Sequence, residues 1–568
     1  MKYRILIDNC DYSSWKFYDS DTNIEIENQK LSHIDPVKLR LFTNDIIDHD
    51  GTIIYSNIRT CPTLAGTIIL DKNRTYGATP KRKKSYYKCI PDDSRLPIFL
   101  LQYELKMGFS KKFKNKYVVF KFKEWNDKHP IGMMLNVLGD VDDLNAFYEY
   151  QLYRRNLNES ITSFSSLVNK LFSNNDNYKE CIETIMKNPK YNIKDRTNEN
   201  VFSIDPNGSK DLDDAFSIET LEGGCYKISI YIANVFFWME EYNLWGSFTN
   251  RVSTIYLPDR RRPMLPTILS DNLCSLLKNQ LRFAFCMDVI VNEKGDVQVD
   301  EMGVEKISLH NVMIRTRNNY VYEDNEMKND KDYLKLFKIT KNAKSEIEDS
   351  HDMVEFWMIY INKKCGELMV EKKRGIYRKA KKGEEEEEKR GEMGREIEKW
   401  KNKRGEYVLY NDESERMLHE ILKVKTYMQI SSPIRRLVDV LNQVMMIMCK
   451  FEMSISKGAK EFVEKWLGKI EYINSSMRSI RKVQNDCELM SIFVKNPEIC
   501  EKKFEGVVFD KMYNEKGEIS YMVYISELKK ISKVRREEGQ KEEKVYKIKM
   551  YYFGDEYNNK KKVRMKII

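Results

Sequence analysis

The sequence has few of the residues that build zinc sites or redox-active thiol pairs. It contains 6 His in 568 residues, and its 11 Cys are scattered, with Cys274 and Cys286 as the closest pair. Structural zinc requires Cys or His ligands at short spacing, and no CxxC pair occurs here. We therefore expect no zinc site, and we expect the thiols to be reduced.

Long apolar runs are also missing. No run approaches the roughly 18 residues that a membrane span needs, and the opening MKYRILIDNCDYSSW lacks the apolar core of a signal peptide. We expect an intracellular protein without membrane contact, cytoplasmic or alternatively nuclear. The composition, 41% apolar and 32% charged, is typical of a soluble globular protein. The length predicts several domains.

The net charge of +10 is modest, but the basic residues concentrate near the end. Residues 528–568 contain 14 Lys and Arg against 6 Asp and Glu, interleaved with Tyr546, Tyr551, Tyr552 and Phe553. Cations neutralise phosphates and aromatic faces stack on bases, so the segment suits single-stranded nucleic acid. A basic solvated face with aromatic residues in the core is the alternative.

The strongest chemical signal is the stretch VFSIDPNGSKDLDDAFSIE. It places four carboxylates, Asp205, Asp211, Asp213 and Asp214, within ten residues. Such crowded charges repel unless they share protons or bind a hard cation such as Mg²⁺ or Mn²⁺. The apolar flanks predict two strands that hold the acidic loop. A solvated acidic turn is the alternative, whereas a calcium loop does not fit, because Lys210 and Phe216 occupy its Gly and Glu positions.

The string DPxxxxDxDDA between two strands resembles the signature of the RNB family of exoribonucleases. Further segments resemble the family in the same order: ISIYIANV, STIYLPDRRRPMLPTILSDNLCSL, SHDMVEFWMIYIN and HEILKVKTYMQISSPIRRLVD. The resemblance covers the chain from about Asn57 to its end and is closest to the eukaryotic, exosome-type branch.

The resemblance implies an α+β multidomain fold, with OB-type β-barrels flanking a mixed α/β catalytic domain. Short alternating strands broken by Gly support a barrel before the acidic motif. We leave residues 1–56 open between a truncated barrel and an appendage. The remaining predicted divisions are a cold-shock barrel over 57–144, a helical linker over 145–195, a catalytic domain over 196–497 and an OB-type barrel over 498–568.

By the same resemblance, Asp205, Asp211 and Asp214 correspond to metal ligands. Asp213 corresponds to the carboxylate whose loss stops the chemistry by misplacing the second ion or its water, and we count it with the ligand set. Phosphodiester hydrolysis is commonly supported by two divalent ions about 3.5–4 Å apart. The expected cofactor is Mg²⁺, with Mn²⁺ as the alternative, and no nucleotide cofactor is expected.

A cation facing the scissile phosphate would complete the site. Arg435 in SSPIRRLVD is the candidate, because a guanidinium can clasp two phosphate oxygens. Ser432 and Pro433 would set its turn. We place Ser432 and Arg436 with the substrate-binding residues. A structural role is the alternative for Arg436, and a surface salt bridge is the alternative for the pair Arg435 and Arg436.

Three further residues are assigned to substrate binding. Tyr256 in TIYLPDR resembles the family residue that clamps the terminal nucleotides, and Tyr322 in NYVYEDN one tied to sugar recognition; a core position is the alternative for both. Glu355 is placed near a ribose hydroxyl, the group that separates RNA from DNA. Gln429, Gln443 and Gln484 depart from the family pattern, but none stands at a ligand position.

Together these features predict a monomeric, metal-dependent hydrolase. It would degrade single-stranded RNA from the 3′ end to nucleoside 5′-monophosphates, alone or within an RNA-decay complex. Two alternatives stay open: a catalytically silent RNA-binding adaptor on the same fold, and a metal-dependent nuclease acting on DNA.

Overall fold

The structure is a computed structural model of the chain. It describes residues 2–568 except 28–30, 73, 79–83, 106–112, 173–174, 323, 382–396, 398–404, 414–416, 514–517, 537–544 and 556–559. The charged run between Lys379 and Glu406, predicted as a solvated helix or disordered connection, lies mostly outside the described residues.

The first residues form an antiparallel sheet in the order β3-β2-β1-β4-β5. Its strands are β1 (Tyr3–Ile7), β2 (Trp15–Asp19), β3 (Glu25–Ile26), β4 (Ile46–Ile47) and β5 (Ile53–Tyr55). The buried residues of β1 alternate, as expected for a strand with one face on a core. Phe42 packs against Phe99 of the next domain with 5.9 Å between ring centroids, so the sheet docks on that domain.

A closed five-stranded barrel follows, in the order β10-β8-β7-β6-β9. Its segments are α1 (Asn57–Thr60), β6 (Leu64–Ile68), β7 (Ser85–Pro91), β8 (Phe99–Tyr103), β9 (Lys116–Glu124) and β10 (Ile131–Asp140). Strands β9 and β10 pair antiparallel, and β10 pairs parallel to β8, which closes the barrel. The barrel lies in the segment where the sequence predicts one.

Three helices lead from the barrel to the central sheet: α2 (Leu144–Tyr153), α3 (Thr162–Leu171) and α4 (Asn175–Lys187). The next segments are β11 (Ile193–Asp195), β12 (Val201–Asp205), β13 (Asp214–Thr220), β14 (Tyr226–Ala233), α5 (Phe236–Glu241), β15 (Ile255–Tyr256), β16 (Arg261–Arg262), β17 (Leu281–Val291) and β18 (Ile307–Val321).

The central sheet has the order β11-β18-β12-β13-β14-β17, and β17 also pairs with β18. Strand β11 falls in the predicted helical linker, yet it pairs parallel to β18 and belongs to the sheet. A local sequence pattern misses this because the pairing partner lies far along the chain. Strands β12 and β13 are antiparallel neighbours, so the acidic loop between them is held at both ends.

Helices cover the sheet and lead to the last domain. The helices are α6 (Asn325–Lys328), α7 (Lys331–Ala343), α8 (Ser350–Glu371), α9 (Leu437–Cys449), α10 (Lys457–Leu467) and α11 (Ile470–Lys495). Between α8 and α9, the strands β19 (Ile376–Lys379) and β20 (Glu406–Leu409) form an antiparallel pair. Helix α9 is buried along nearly its whole length, and its polar residues Asp439, Asn442 and Gln443 are buried with it and hydrogen-bonded.

The C-terminal sheet has the order β23-β22-β21-β24-β25. Its strands are β21 (Lys503–Tyr513), β22 (Ile519–Ile525), β23 (Lys530–Arg535), β24 (Val545–Asp555) and β25 (Lys560–Ile567). In the described parts of the chain, no helix is long and apolar enough to cross a membrane.

Candidate active site

The acidic loop is fixed by the backbone around it. Ser275 donates a hydrogen bond from Oγ to the carbonyl of Lys210 at 2.8 Å and accepts one from the Leu212 N–H at 3.0 Å. The Ala233 N–H donates to the Asp213 carbonyl at 2.7 Å. The carboxylates that follow are therefore positioned by rigid strands, as a preorganised site requires. Ser275 was not identified from the sequence, because its role depends on a contact between distant segments.

Asp205 and Asp214 form the crowded part of the site. Burial raises the pKa of Asp205 to about 6, with the charge of Asp211 adding to the effect, although Ser203 donates a hydrogen bond to Asp205 Oδ2 at 2.8 Å. Burial and the charges of Asp205 and Asp213 raise the pKa of Asp214. Asp214 Oδ2 is buried without a hydrogen-bond partner. Both carboxylates would be relieved by a nearby cation.

Asp211 is held by two side chains. Tyr256 donates its hydroxyl hydrogen to Asp211 Oδ2 at 2.5 Å, and Arg261 donates to Oδ1 at 2.9 Å. Arg261 also forms an ion pair with Asp271. Arg261 was not identified from the sequence, although it lies in the recognised segment YLPDRRRPML. Four clustered carboxylates need nearby cations to balance their charge, and this requirement could have identified Arg261.

Asp213 joins the acidic loop to the turn that carries Arg435. Its Oδ1 accepts the Ile434 N–H at 2.9 Å, and its Oδ2 accepts Arg435 Nε at 3.1 Å. Arg435 also donates to Ser432 Oγ at 2.8 Å, while its side chain stays 43% exposed. Burial raises the pKa of Asp213 to about 7, against the effect of the Arg435 charge. The structure thus brings Asp213, Arg435 and Ser432 together.

The fit of the site to a divalent ion is best at Asp205 and Asp214. These oxygen ligands suit Mg²⁺ or Mn²⁺. Asp214 Oδ2 is buried without a hydrogen-bond partner, so it is available to bind a cation. Among the described residues, no group of three or more His, Cys, Asp or Glu is arranged to hold a metal. Asp211 faces Arg261 and Tyr256, and Asp213 faces Arg435, so either would join the ligand set only by changing partners.

Among the described residues, Arg436 pairs with Asp439 rather than with an aspartate of the acidic loop. It donates to Asp439 Oδ1 at 2.7 Å, and the same oxygen accepts the Ser432 N–H at 2.7 Å. The Arg436 side chain is 17% exposed and Asp439 is fully buried. This geometry matches the structural alternative for Arg436, because its guanidinium braces the turn that presents Arg435.

We expect Asp439→Asn to lower the free energy of unfolding by about 3–5 kcal/mol, because it leaves Arg436 buried without its counter-ion. Urea unfolding of the purified variant measures this. Asp412→Asn is the matched control, since Asp412 pairs with Lys373 where both side chains are more than 70% exposed. Equal stability of the two variants would show that the Arg436 pair does not brace the turn.

Tyr256 and Tyr322 both lie at the carboxylates rather than deep in the core. Tyr256 is 42% exposed, and its N–H donates to Gln484 Oε1 at 3.2 Å. The Tyr322 N–H donates to the Asp205 carbonyl at 3.2 Å. The Tyr322 ring stacks on His351 with 3.5 Å between centroids. Burial raises the pKa of Tyr322, and the charges of Asp214, Asp205 and Glu355 add to the effect. Glu355 lies one helical turn after His351 on α8.

The other departures from the family pattern are structural. Gln443 donates to the Ala233 carbonyl at 2.8 Å, next to the acidic loop, and Gln429 accepts the Tyr407 hydroxyl hydrogen at 2.7 Å. Both glutamines are buried and hold backbone or core groups.

The fold and site together define a multidomain protein in which β-barrel and sheet modules flank a mixed sheet carrying a carboxylate and arginine site.

Two segments of the chain match models of known protein families. The RNB domain family matches residues 193–332, and the family described as Dis3-like cold-shock domain 2 (CSD2) matches residues 86–153. DIS3-like exonuclease 2 of Schizosaccharomyces pombe is 29% identical over 215 residues, which cover 36% of this chain and 22% of that protein. These matches confirm the resemblance to the RNB family that was drawn from the sequence.

Solved structures show the same fold. The apo form of RNase R from Mycoplasma genitalium matches with a TM-score of 0.69 at 15% identity and covers 100% of both chains. Yeast Ssd1, described as a pseudonuclease, matches with a TM-score of 0.57 at 13% identity, over 94% of this chain and 78% of that one. These matches confirm the predicted α+β multidomain class.

Proposed function

We propose that this protein is a metal-dependent exoribonuclease that shortens single-stranded RNA from its 3′ end and releases nucleoside 5′-monophosphates. The observation that carries the proposal is the complete set of four Asp side chains with the half-exposed guanidinium of Arg435 fixed beside them by Asp213. Buried, crowded carboxylates are costly in their charged form, and a bound divalent cation would relieve that cost at Asp205 and Asp214.

The chemistry is hydrolysis of a phosphodiester. A water oxygen bonds to phosphorus, the bond from phosphorus to the 3′ oxygen breaks, and that oxygen leaves as the 3′ hydroxyl of the shortened strand. A bound Mg²⁺ or Mn²⁺ would supply charge neutralisation and a more acidic water. Asp205 and Asp214 would hold it, and Arg435 would bind the nonbridging phosphate oxygens through the donors that Asp213 and Ser432 leave free.

Substrate choice would rest on the two tyrosines and Glu355. The exposed face of Tyr256 offers a surface on which a terminal base stacks without regard to sequence. Tyr322 donates its N–H to the Asp205 carbonyl, and the Glu355 charge acts on the Tyr322 hydroxyl. A ribose hydroxyl bound beside these residues would distinguish RNA from DNA. A silent RNA-binding protein is the second candidate, because Ssd1 shares the fold and is described as a pseudonuclease.

We expect Tyr256→Ala to lengthen the shortest product that accumulates, because RNA held without this stacking contact dissociates before further cleavage. Stacking contributes about 1–3 kcal/mol per base. Tyr256→Phe is the matched control: it keeps the ring but loses the hydroxyl that donates to Asp211. End products of a labelled RNA are compared on a sequencing gel. Unchanged products from the Ala variant would remove Tyr256 from the substrate contacts.

A further inference from the structure

Arg261 lies between two carboxylates beside the acidic loop. One of its terminal nitrogens donates to Asp211 Oδ1 at 2.9 Å, and the other forms an ion pair with Asp271. The Arg261 side chain is 19% exposed, and that of Asp211 is only 8% exposed. Water therefore screens this pair little, and the guanidinium directly compensates the buried charge of Asp211.

The short hairpin of β15 and β16 positions Arg261. Tyr256 and Arg261 are opposite partners in this antiparallel pair, so their side chains leave the same face. Both reach Asp211, since the Tyr256 hydroxyl donates to Oδ2 while Arg261 donates to Oδ1. Asp271 is held in turn by Ser270, whose hydroxyl donates to Oδ1 at 2.5 Å. Each carboxylate oxygen of Asp211 is therefore occupied by a donor from one hairpin.

The four aspartates of the acidic loop differ in their counter-ions. One is paired with Arg435 and another with Arg261. The other two, Asp205 and Asp214, form no ion pair with Lys or Arg in the described part of the chain. One divalent ion carries the two positive charges that these two carboxylates lack. A second ion would have to bind beside a guanidinium that already neutralises its carboxylate.

We propose that Arg261 is a built-in cation that takes the place of a second divalent ion by keeping Asp211 out of the metal-binding set. The site then binds one ion, at Asp205 and Asp214. A second ion at Asp211 would have to displace the guanidinium from between two carboxylates or bind next to its positive charge, and both are unfavourable. Resting on the proposed function for the first ion, this assignment departs from the pair of ions that four clustered carboxylates suggest.

The contacts of Arg261 favour a fixed counter-ion over a substrate contact. An arginine that binds a phosphate presents its terminal donors to it. Both terminal nitrogens of Arg261 already contact carboxylates. Arg435, by contrast, is 43% exposed and remains the arginine available to the reacting phosphate. Arg261 is therefore a positioning residue that acts through Asp211.

Binding of Mn²⁺ tests this role by electron paramagnetic resonance. The sharp signal of free Mn²⁺ weakens when the ion binds, and two ions about 3.5–4 Å apart give the spectrum of a coupled pair. The full-length protein is titrated without RNA beside Arg261→Met and Arg261→Gln, which remove the charge, and Arg261→Lys, which keeps it. Circular dichroism confirms that each variant is folded.

Two further variants make the count specific. Asp214→Asn identifies the ion of the active site, because it removes one of the proposed ligands. Arg260→Met is the matched control, since Arg260 is the neighbouring arginine but is 69% exposed and pairs with Glu149. Ions at surface carboxylates are common to all variants and do not give a coupled pair.

We expect the parent protein, Arg261→Lys and Arg260→Met to bind one Mn²⁺ in the active site, with the spectrum of an isolated ion. Arg261→Met and Arg261→Gln should each bind one more ion and show a coupled pair. Adding Asp211→Asn to Arg261→Met should remove the second ion again, because the carboxylate that the arginine had neutralised is lost.

A coupled pair in the parent protein or in Arg261→Lys, or no additional ion in either neutral variant, would overturn the role of Arg261. Cleavage is not part of this measurement. A parent protein that binds one ion yet leaves RNA intact would refute the proposed function alone, a coupled pair in a protein that cleaves RNA would refute only the role of Arg261, and a parent protein that binds no ion would refute both.

Discussion

Asp213→Asn is expected to reduce RNA cleavage by about 10³-fold or more, while RNA affinity changes little. The variant loses the carboxylate that receives Arg435 Nε, so the guanidinium is no longer fixed beside the other aspartates. Losing one preorganised electrostatic contact commonly costs about 10²–10³ in rate, and groups that act as a unit cost more. Affinity is spread over many backbone contacts and should persist.

The fold should survive this change. Burial raises the pKa of Asp213 to about 7, which means that its charged form is disfavoured in the folded protein. Asparagine is neutral, has nearly the same shape and can still accept the Ile434 N–H. Single-turnover release of mononucleotides measures the rate, and anisotropy measures affinity. A variant that binds normally and cleaves at a comparable rate would exclude Asp213 from the chemistry.

Arg435→Lys should slow turnover about 100-fold, nearly as much as Arg435→Ala. The guanidinium donates through Nε to Asp213 and through a terminal nitrogen to Ser432, and the side chain is 43% exposed. A lysine has one ammonium group and cannot hold both partners while it binds a phosphate. The rate at saturating RNA is the quantity to compare.

Arg260→Lys is a suitable control for the arginine test, because Arg260 is 69% exposed and pairs with Glu149 at the surface. We expect it to retain the parent rate. Near-normal turnover by Arg435→Lys would mean that positive charge alone is needed at this position, or that Arg435 does not contact the reacting phosphate.

The sequence predicts the frame of the site well. The acidic loop lies between β12 and β13 as the apolar flanks indicate, because that signal is local. The sequence also identifies Arg435 and Tyr256 through recognised motifs. Motifs do not reveal which carboxylate each one contacts: Arg435 bonds Asp213 and Tyr256 bonds Asp211 across long stretches of chain.

What the sequence misses depends on three-dimensional proximity. Asp439 organises the SSPIRR turn from the first turn of α9, and Ser275 fixes the acidic loop from another segment. Neither stands out in composition or spacing.

The most direct test of the central claim is a gel of a 5′-labelled single-stranded RNA incubated with the protein, with and without Mg²⁺, beside a DNA of the same sequence. We expect a ladder that shortens stepwise from the 3′ end, only for RNA and only with Mg²⁺, with nucleoside 5′-monophosphates as the released product. RNA that stays intact with Mg²⁺ present would identify a silent RNA-binding protein, and equal degradation of the DNA would identify a different nuclease.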